Sequence, residues 1–197
     1  MAPAPTRRSM LPLLAFGAGA ALVAGGAILT MIDTGPGAPA PSLIGGPFSL
    51  IDGDGKPLSQ DDLKGQISLM FFGYTHCPDV CPTTLFEMSE ILRKLKPGAP
   101  ARGVFVSVDP ERDTAPVMKD YLSSFDNRII GLTGDRAAID AMLKEYRVYS
   151  KKVPGTGDDY TMDHSAIIYL MDKQMRFVNA LNLADPQKAV EEIQRWM

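Results

Sequence analysis

From residue 47 onward, apolar runs of strand length alternate with stretches in which apolar residues return every three or four positions. "FSLIDGDGKPLS" (48–59) predicts a hairpin turning over Asp52–Gly55, with Ser59 placed to cap the short turn that follows. "ISLMFFGY" (67–74) is a continuous apolar run, which predicts a central strand buried on both faces. Leu85, Met88, Ile91, Leu92 and Leu95 recur at helical spacing within 83–96. "GVFVSV" (103–108) predicts a second buried strand, and Thr114–Phe125 and Asp135–Tyr146 predict helices that each begin beside a capping residue. "AIIYLM" and "RFVNAL" predict a strand pair around the "DKQ" turn, with Pro186–Trp196 as a closing helix. The order β-α-β-α-β-α followed by β-β-α predicts an α/β domain with a mixed central sheet flanked by helices.

The start of the chain follows another pattern. Met10–Ile32 carries no charge and has no polar face, which argues against a buried core helix. As a helix it would extend roughly 35 Å at ~1.5 Å per residue, enough to cross a hydrocarbon core of about 30 Å. A secretory signal core is shorter and ends at a small-residue cleavage site. "AGA" at 18–20 imitates such a site, but the apolar run continues past it, so its length favours an uncleaved anchor. "TRRSML" has some likeness to a twin-arginine export signal. Arg7 and Arg8 precede the run without any acid, which places 1–9 in the cytoplasm, 10–32 across the membrane and the remainder outside. Residues 33–46, "DTGPGAPAPSLIGG", read as a tether, leaving 47–197 as the folded domain. The short basic start suits a single-pass protein of a bacterial inner membrane with a periplasmic domain, because a mitochondrial presequence is usually longer and rich in Arg and Ser. The net charge is −3, and the domain is more acidic still once Arg7 and Arg8 are set apart. A nucleic-acid partner, which calls for a basic patch, has no support.

Both cysteines of the chain fall in "THCPDVCP", directly after the first central strand. A purely structural disulfide there would close a very small loop and so constrain the unfolded chain little. Pro82 lacks an amide hydrogen and suits the first turn of a helix, so a helix is expected to start near it with Cys77–Cys81 in the preceding turn. The helix dipole would then lower the thiol pKa values and favour thiolate, the form that binds metals and attacks disulfides. Dithiol enzymes usually space their cysteines as Cys-x-x-Cys, and the extra residue here makes a better chelate for a large soft cation while still permitting a redox disulfide between Cys77 and Cys81. A peroxidase would need an arginine near its cysteine, and none lies in 66–92. For a metal the candidate third ligand is His164, just before a strand expected to neighbour the central one. His76, Asp79, Asp163 and the methionines compete with it, and zinc competes with copper. "KKVPGTGDDYTMD" (151–163) reads as a mobile loop that carries His164.

"GGPFSLIDGDGKPL", "FFGYTHCPDVCPTTL", "VSVDPERDTAPVMKDYLSSF" and "DHSAIIYLMDKQMRF", in this order, resemble the Sco/SenC family of copper chaperones over roughly 45–197. The resemblance implies a thioredoxin-like fold in which Cys77, Cys81 and His164 bind copper, as Cu(I) or Cu(II), with Cys77 and Cys81 able to close as a redox-active disulfide in the metal-free form. It further implies delivery to the CuA centre of cytochrome c oxidase subunit II, with the upstream copper donor unspecified. A thiol–disulfide reductase that keeps the client's cysteines reduced is the competing function. Asp109–Thr114 reads as a loop and helix start that supports the fold near the site, with Asp113 as a candidate helix cap.

Overall fold

The apolar run after Gln66 forms an inner strand of the sheet, because its side chains suit neither face to water. In the computed structural model, which describes residues 42–157 and 159–197, this strand is Ile67–Gly73 (β3), buried at every position. It pairs in parallel with Ala101–Ser107 (β4), which pairs in parallel with Ile129–Thr133 (β5). The hairpin Ser49–Asp52 (β1) and Pro57–Ser59 (β2) packs antiparallel against the far side of β5. Asp52 closes its turn by accepting the amide hydrogens of Asp54 and Lys56. Asp62 accepts the amide and hydroxyl hydrogens of Ser59, starting the short 3-10 turn at Gln60–Leu63.

The helices are Val80–Lys94 (α1), Ala115–Leu122 (α2), Arg136–Glu145 (α3) and Pro186–Arg195 (α4). Among the described residues the ribbon strands Ser150–Pro154 (β6) and Tyr160–His164 (β7) pair only with each other, while Ile168–Met171 (β8) and Phe177–Leu181 (β9) complete the main sheet. Its order is β2-β1-β5-β4-β3-β8-β9. The glycines identify one covered face. A β-carbon on Gly103 would strike Met88 of α1, and one on Gly131 would strike Leu122 and Met118 of α2. Phe72, which points the other way from Phe71 and Gly73, instead meets Tyr146 at the end of α3. Helices therefore cover both faces of a mixed sheet, the expected layering.

Three local expectations need correction. Helix α1 begins at Val80, two residues before Pro82, because the third amide of a helix has no partner within it and proline loses nothing there. The 151–163 segment is a two-stranded ribbon, with Ser150 opposite His164 and Pro154 opposite Tyr160, where a loop was expected. Asp113 does not cap α2; Thr114 occupies that position and the Asp113 carboxylate turns inward. Among the described residues no helix is long and apolar enough to cross a membrane. The span expected at 10–32, the basic start before it and the tether as far as residue 41 lie outside the described residues.

Candidate metal centre

Because β3 and β4 run in parallel, their carboxyl ends open on the same edge of the sheet, where crevices form in α/β folds. The chain leaves β3 at Tyr74 and turns through 75–79. The Cys77 amide donates to the Tyr74 carbonyl at 3.3 Å, and the Thr83 amide makes the first i to i−4 bond of α1, to Asp79, at 3.2 Å. Starting the helix at Val80 puts Cys81 inside its first turn, pointing at the core with 0% of its surface exposed. Cys77 stays half-buried in the turn, and its sulfur accepts the Cys81 amide hydrogen at 3.3 Å. Gly73 makes this possible: a β-carbon there would lie 2.7 Å from Cys81 Sγ and 2.7 Å from a ring carbon of Phe105. A glycine within a strand marks such a close approach, and that signal was present in "FFGY".

The third donor arrives from the ribbon. Along β7, Tyr160, Met162 and His164 share one face by the two-residue period, and Met162 is buried while Thr161 and Asp163 are exposed. His164 Nε2 lies 3.6 Å from Cys81 Sγ, and Nδ1 lies 3.2 Å from the Ser165 carbonyl. With the proton on Nδ1 donated to that carbonyl, Nε2 is left to present its lone pair toward the sulfurs. The Tyr74 ring stands edge-on to the imidazole at 5.8 Å and 89°, and Phe71 lies at 6.3 Å. Donor atoms of Cys77, Cys81 and His164 all fall within 4.8 Å of one another. The other candidates stay apart. Asp79 and Asp163 are exposed, and His76 turns away, its Nδ1 3.1 Å from Thr75 Oγ1.

The electrostatics differ from the helix-dipole expectation at Cys81. Burial pushes its thiol well above the usual range, and the neighbouring Cys77 adds to the effect. Fixed dipoles at a helix start are worth a fraction of what removal from water costs a thiolate. Below the sulfurs, fully buried Asp113 accepts hydrogen bonds from the Thr75 hydroxyl and the Ser107 hydroxyl, both at 2.6 Å, and from the Thr75 amide at 3.1 Å. Burial raises the Asp113 carboxyl pKa, and those hydrogen bonds oppose the rise. The carboxylate thereby ties the cysteine turn to the end of β4, which gives Asp109–Thr114 the supporting part expected of it. Sequence reasoning missed Asp109, Arg112 and Tyr160 as a connected group: Asp109 is fully buried and takes hydrogen bonds from Arg112 Nε at 2.5 Å and the Tyr160 hydroxyl at 2.8 Å.

The SCO1/SenC family model matches residues 36–197. Protein SCO1 homolog 1 of Arabidopsis thaliana mitochondria is 42% identical over 149 residues, 75% of this chain. The match spans 44% of that relative, less than half its length. The solved structure of Bradyrhizobium japonicum ScoI with copper bound is 54% identical, has a TM-score of 0.75, and covers 78% of this chain and 99% of its own. BsSco, a member of the Sco family of cytochrome c oxidase assembly proteins in which a disulfide switch was identified, is 25% identical with a TM-score of 0.60, covering 76% of this chain and 90% of its own. The layered mixed sheet of this chain, with a cysteine turn beyond β3, is a thioredoxin-like arrangement.

Proposed function

The chain belongs to the SCO1/SenC family, and on that premise we propose that it is a membrane-anchored copper chaperone whose cargo is held by Cys77, Cys81 and His164. The observation that carries this reading is the convergence of two sulfurs and one imidazole nitrogen within 4.8 Å. Thiolate is a soft ligand that selects Cu(I), and imidazole suits copper in either oxidation state. Loading requires both thiols to lose their protons. At Cys81 burial opposes that loss, so retention should strengthen as pH rises. A client thiolate arriving on the Cys77 side would displace one ligand at a time, with His164 leaving on its ribbon. The work is carriage rather than catalysis.

In this reading the client is the CuA centre of cytochrome c oxidase subunit II. Residues 10–32 hold the protein in a bacterial inner membrane, 1–9 stay cytoplasmic, 33–46 form the tether and 47–197 the periplasmic copper domain. A tether raises the domain's effective concentration near a membrane-bound client without new contacts.

A second reading has its own support, because half-buried Cys77 in front of buried Cys81 is how an attacking and a resolving thiol are placed. Cys77 thiolate would attack a client disulfide, and Cys81 would resolve the mixed disulfide. Two electrons would pass to the client as Cys77–Cys81 closes. His164 separates the two readings. Anaerobic Cu(I) loading followed by elemental analysis should give one ion per chain. His164→Ala should lower Cu(I) affinity by more than the roughly 10–100-fold that loss of an outer partner costs a metal site, and should leave client disulfide reduction intact. Unchanged copper affinity in that variant would remove the imidazole from the site.

A further inference from the structure

Among the described residues, the ribbon that carries His164 has no strand pairing to the main sheet. Something else must decide where its face points. Tyr160 sits four positions before His164 on that same face, about 13 Å along the strand at ~3.3 Å per residue. Its hydroxyl donates to Asp109 Oδ1 at 2.8 Å, and its carbonyl accepts from Arg112 Nη1 at 3.1 Å. The Arg112 guanidinium lies 3.7 Å from the centre of the Tyr160 ring and 5.7 Å from that of Tyr74. Arg112 also closes on Asp109 through Nε at 2.5 Å. The Arg112 side chain is 19% exposed and the Asp109 side chain 0%, so these contacts act in a largely dry setting.

We propose that Asp109, Arg112 and Tyr160 form a latch that holds the β6–β7 ribbon over the cysteine turn and so sets whether His164 meets the sulfurs. The proposal rests on the copper reading and deepens it. The three are positioning residues: none belongs to the donor cluster, and they act through the ribbon. The anchor on the main fold is the Asp109–Asp113 loop that follows β4, which through Asp113 also fixes Thr75 beside the cysteine turn. One loop thus sets both halves of the site. Releasing the Tyr160 end would free the imidazole while leaving the dithiol where it is, which is the order of ligand loss that handing copper to a thiol-bearing client requires.

The test uses Tyr160→Phe, which keeps the ring over Arg112 and removes only the hydroxyl, and Arg112→Lys, which keeps the charge and loses the planar fork. In the metal-free protein, amide hydrogen exchange at Thr161, Met162 and Asp163 should quicken roughly tenfold in Tyr160→Phe, as expected for losing one hydrogen bond to a charged acceptor. Exchange at Met70 and Phe105 should stay at the parent rate, and Arg112→Lys should shift the ribbon in the same direction. Cu(I) release to a chromophoric chelator should also quicken roughly tenfold, with no further gain when Tyr160→Phe is added to His164→Ala. Unchanged ribbon exchange, equal quickening in β3 and β4, or an undiminished effect on release in the His164→Ala background would each overturn the latch. A parent protein that takes up no copper would instead defeat the copper reading, with ribbon exchange still deciding for or against the latch.

Discussion

The two halves of the donor cluster are built in opposite ways. Cys81 hangs from the junction of β3 and α1, where Phe71, Leu85 and Phe105 are all fully buried and Gly73 admits the sulfur against the strand. His164 hangs from a ribbon whose β6 strand shows no buried residue and whose β7 strand buries only Met162. A site with one donor set in the core and another on a separately held element can keep its shape while it changes its ligand number. Loops and elements that move for function come from the less stable end of a fold, and here that end is β6–β7.

Substitutions in the core half should show the largest effects. Phe71→Ala removes a fully buried ring that packs on Phe105 at 5.9 Å and should cost about 3–5 kcal/mol in urea unfolding. A loss below 1 kcal/mol would mean that β3 is not the rigid half. Gly73→Ala comes next. Its added carbon overlaps Cys81 Sγ and Phe105, and overpacking of this kind costs about 1–3 kcal/mol. It should also displace Cys81, so copper stoichiometry should fall even in the folded fraction, and full stoichiometry would contradict the close approach.

The smallest effect belongs beside the ribbon. Arg136 holds Glu111 by a double hydrogen bond, in a cleft also lined by Ser150, Lys152 and Met162. The Arg136 guanidinium keeps the Glu111 carboxyl at about 2, below its ordinary 4.5. A depressed carboxyl stabilises the fold above its unfolded value, and that contribution is lost as pH falls from about 4.5 through about 2. The Glu111 side chain is 48% exposed, so solvent screening limits the loss to under about 1 kcal/mol. Glu111→Gln should flatten stability over that pH interval by this amount, measured by urea titrations at fixed pH, and an unchanged slope would show that the ion pair contributes nothing.

Much of the core half was legible in the chain because its signals are local. An apolar run with glycine at its end, two cysteines in a proline-bounded turn, and leucines at helical spacing act within a few residues of one another. The sequence places the helix start two residues late because proline is accepted anywhere in a first turn, and sequence alone does not choose among those positions. The pattern of the ribbon predicts a loop for a different reason. Among the described residues of "SKKVPGTGDDYTMDH" only Met162 goes fully inside, so no apolar alternation announces a strand, and backbone pairing supplies what the pattern lacks.

By itself, the order of residues determined which groups could do chemistry: a soft dithiol, a histidine ahead of a core strand, and a layered α/β domain around them. Tertiary structure alone decided that His164, 83 positions beyond Cys81, lies 3.6 Å from its sulfur. That distance follows from the antiparallel docking of β8 on β3, which brings the chain back to the cysteine edge. It follows as well from a buried Asp109 and Arg112 gripping Tyr160, which aims the ribbon's face. Such contacts join segments with no local preference for each other, and they exist only once the core has fixed the segments in place.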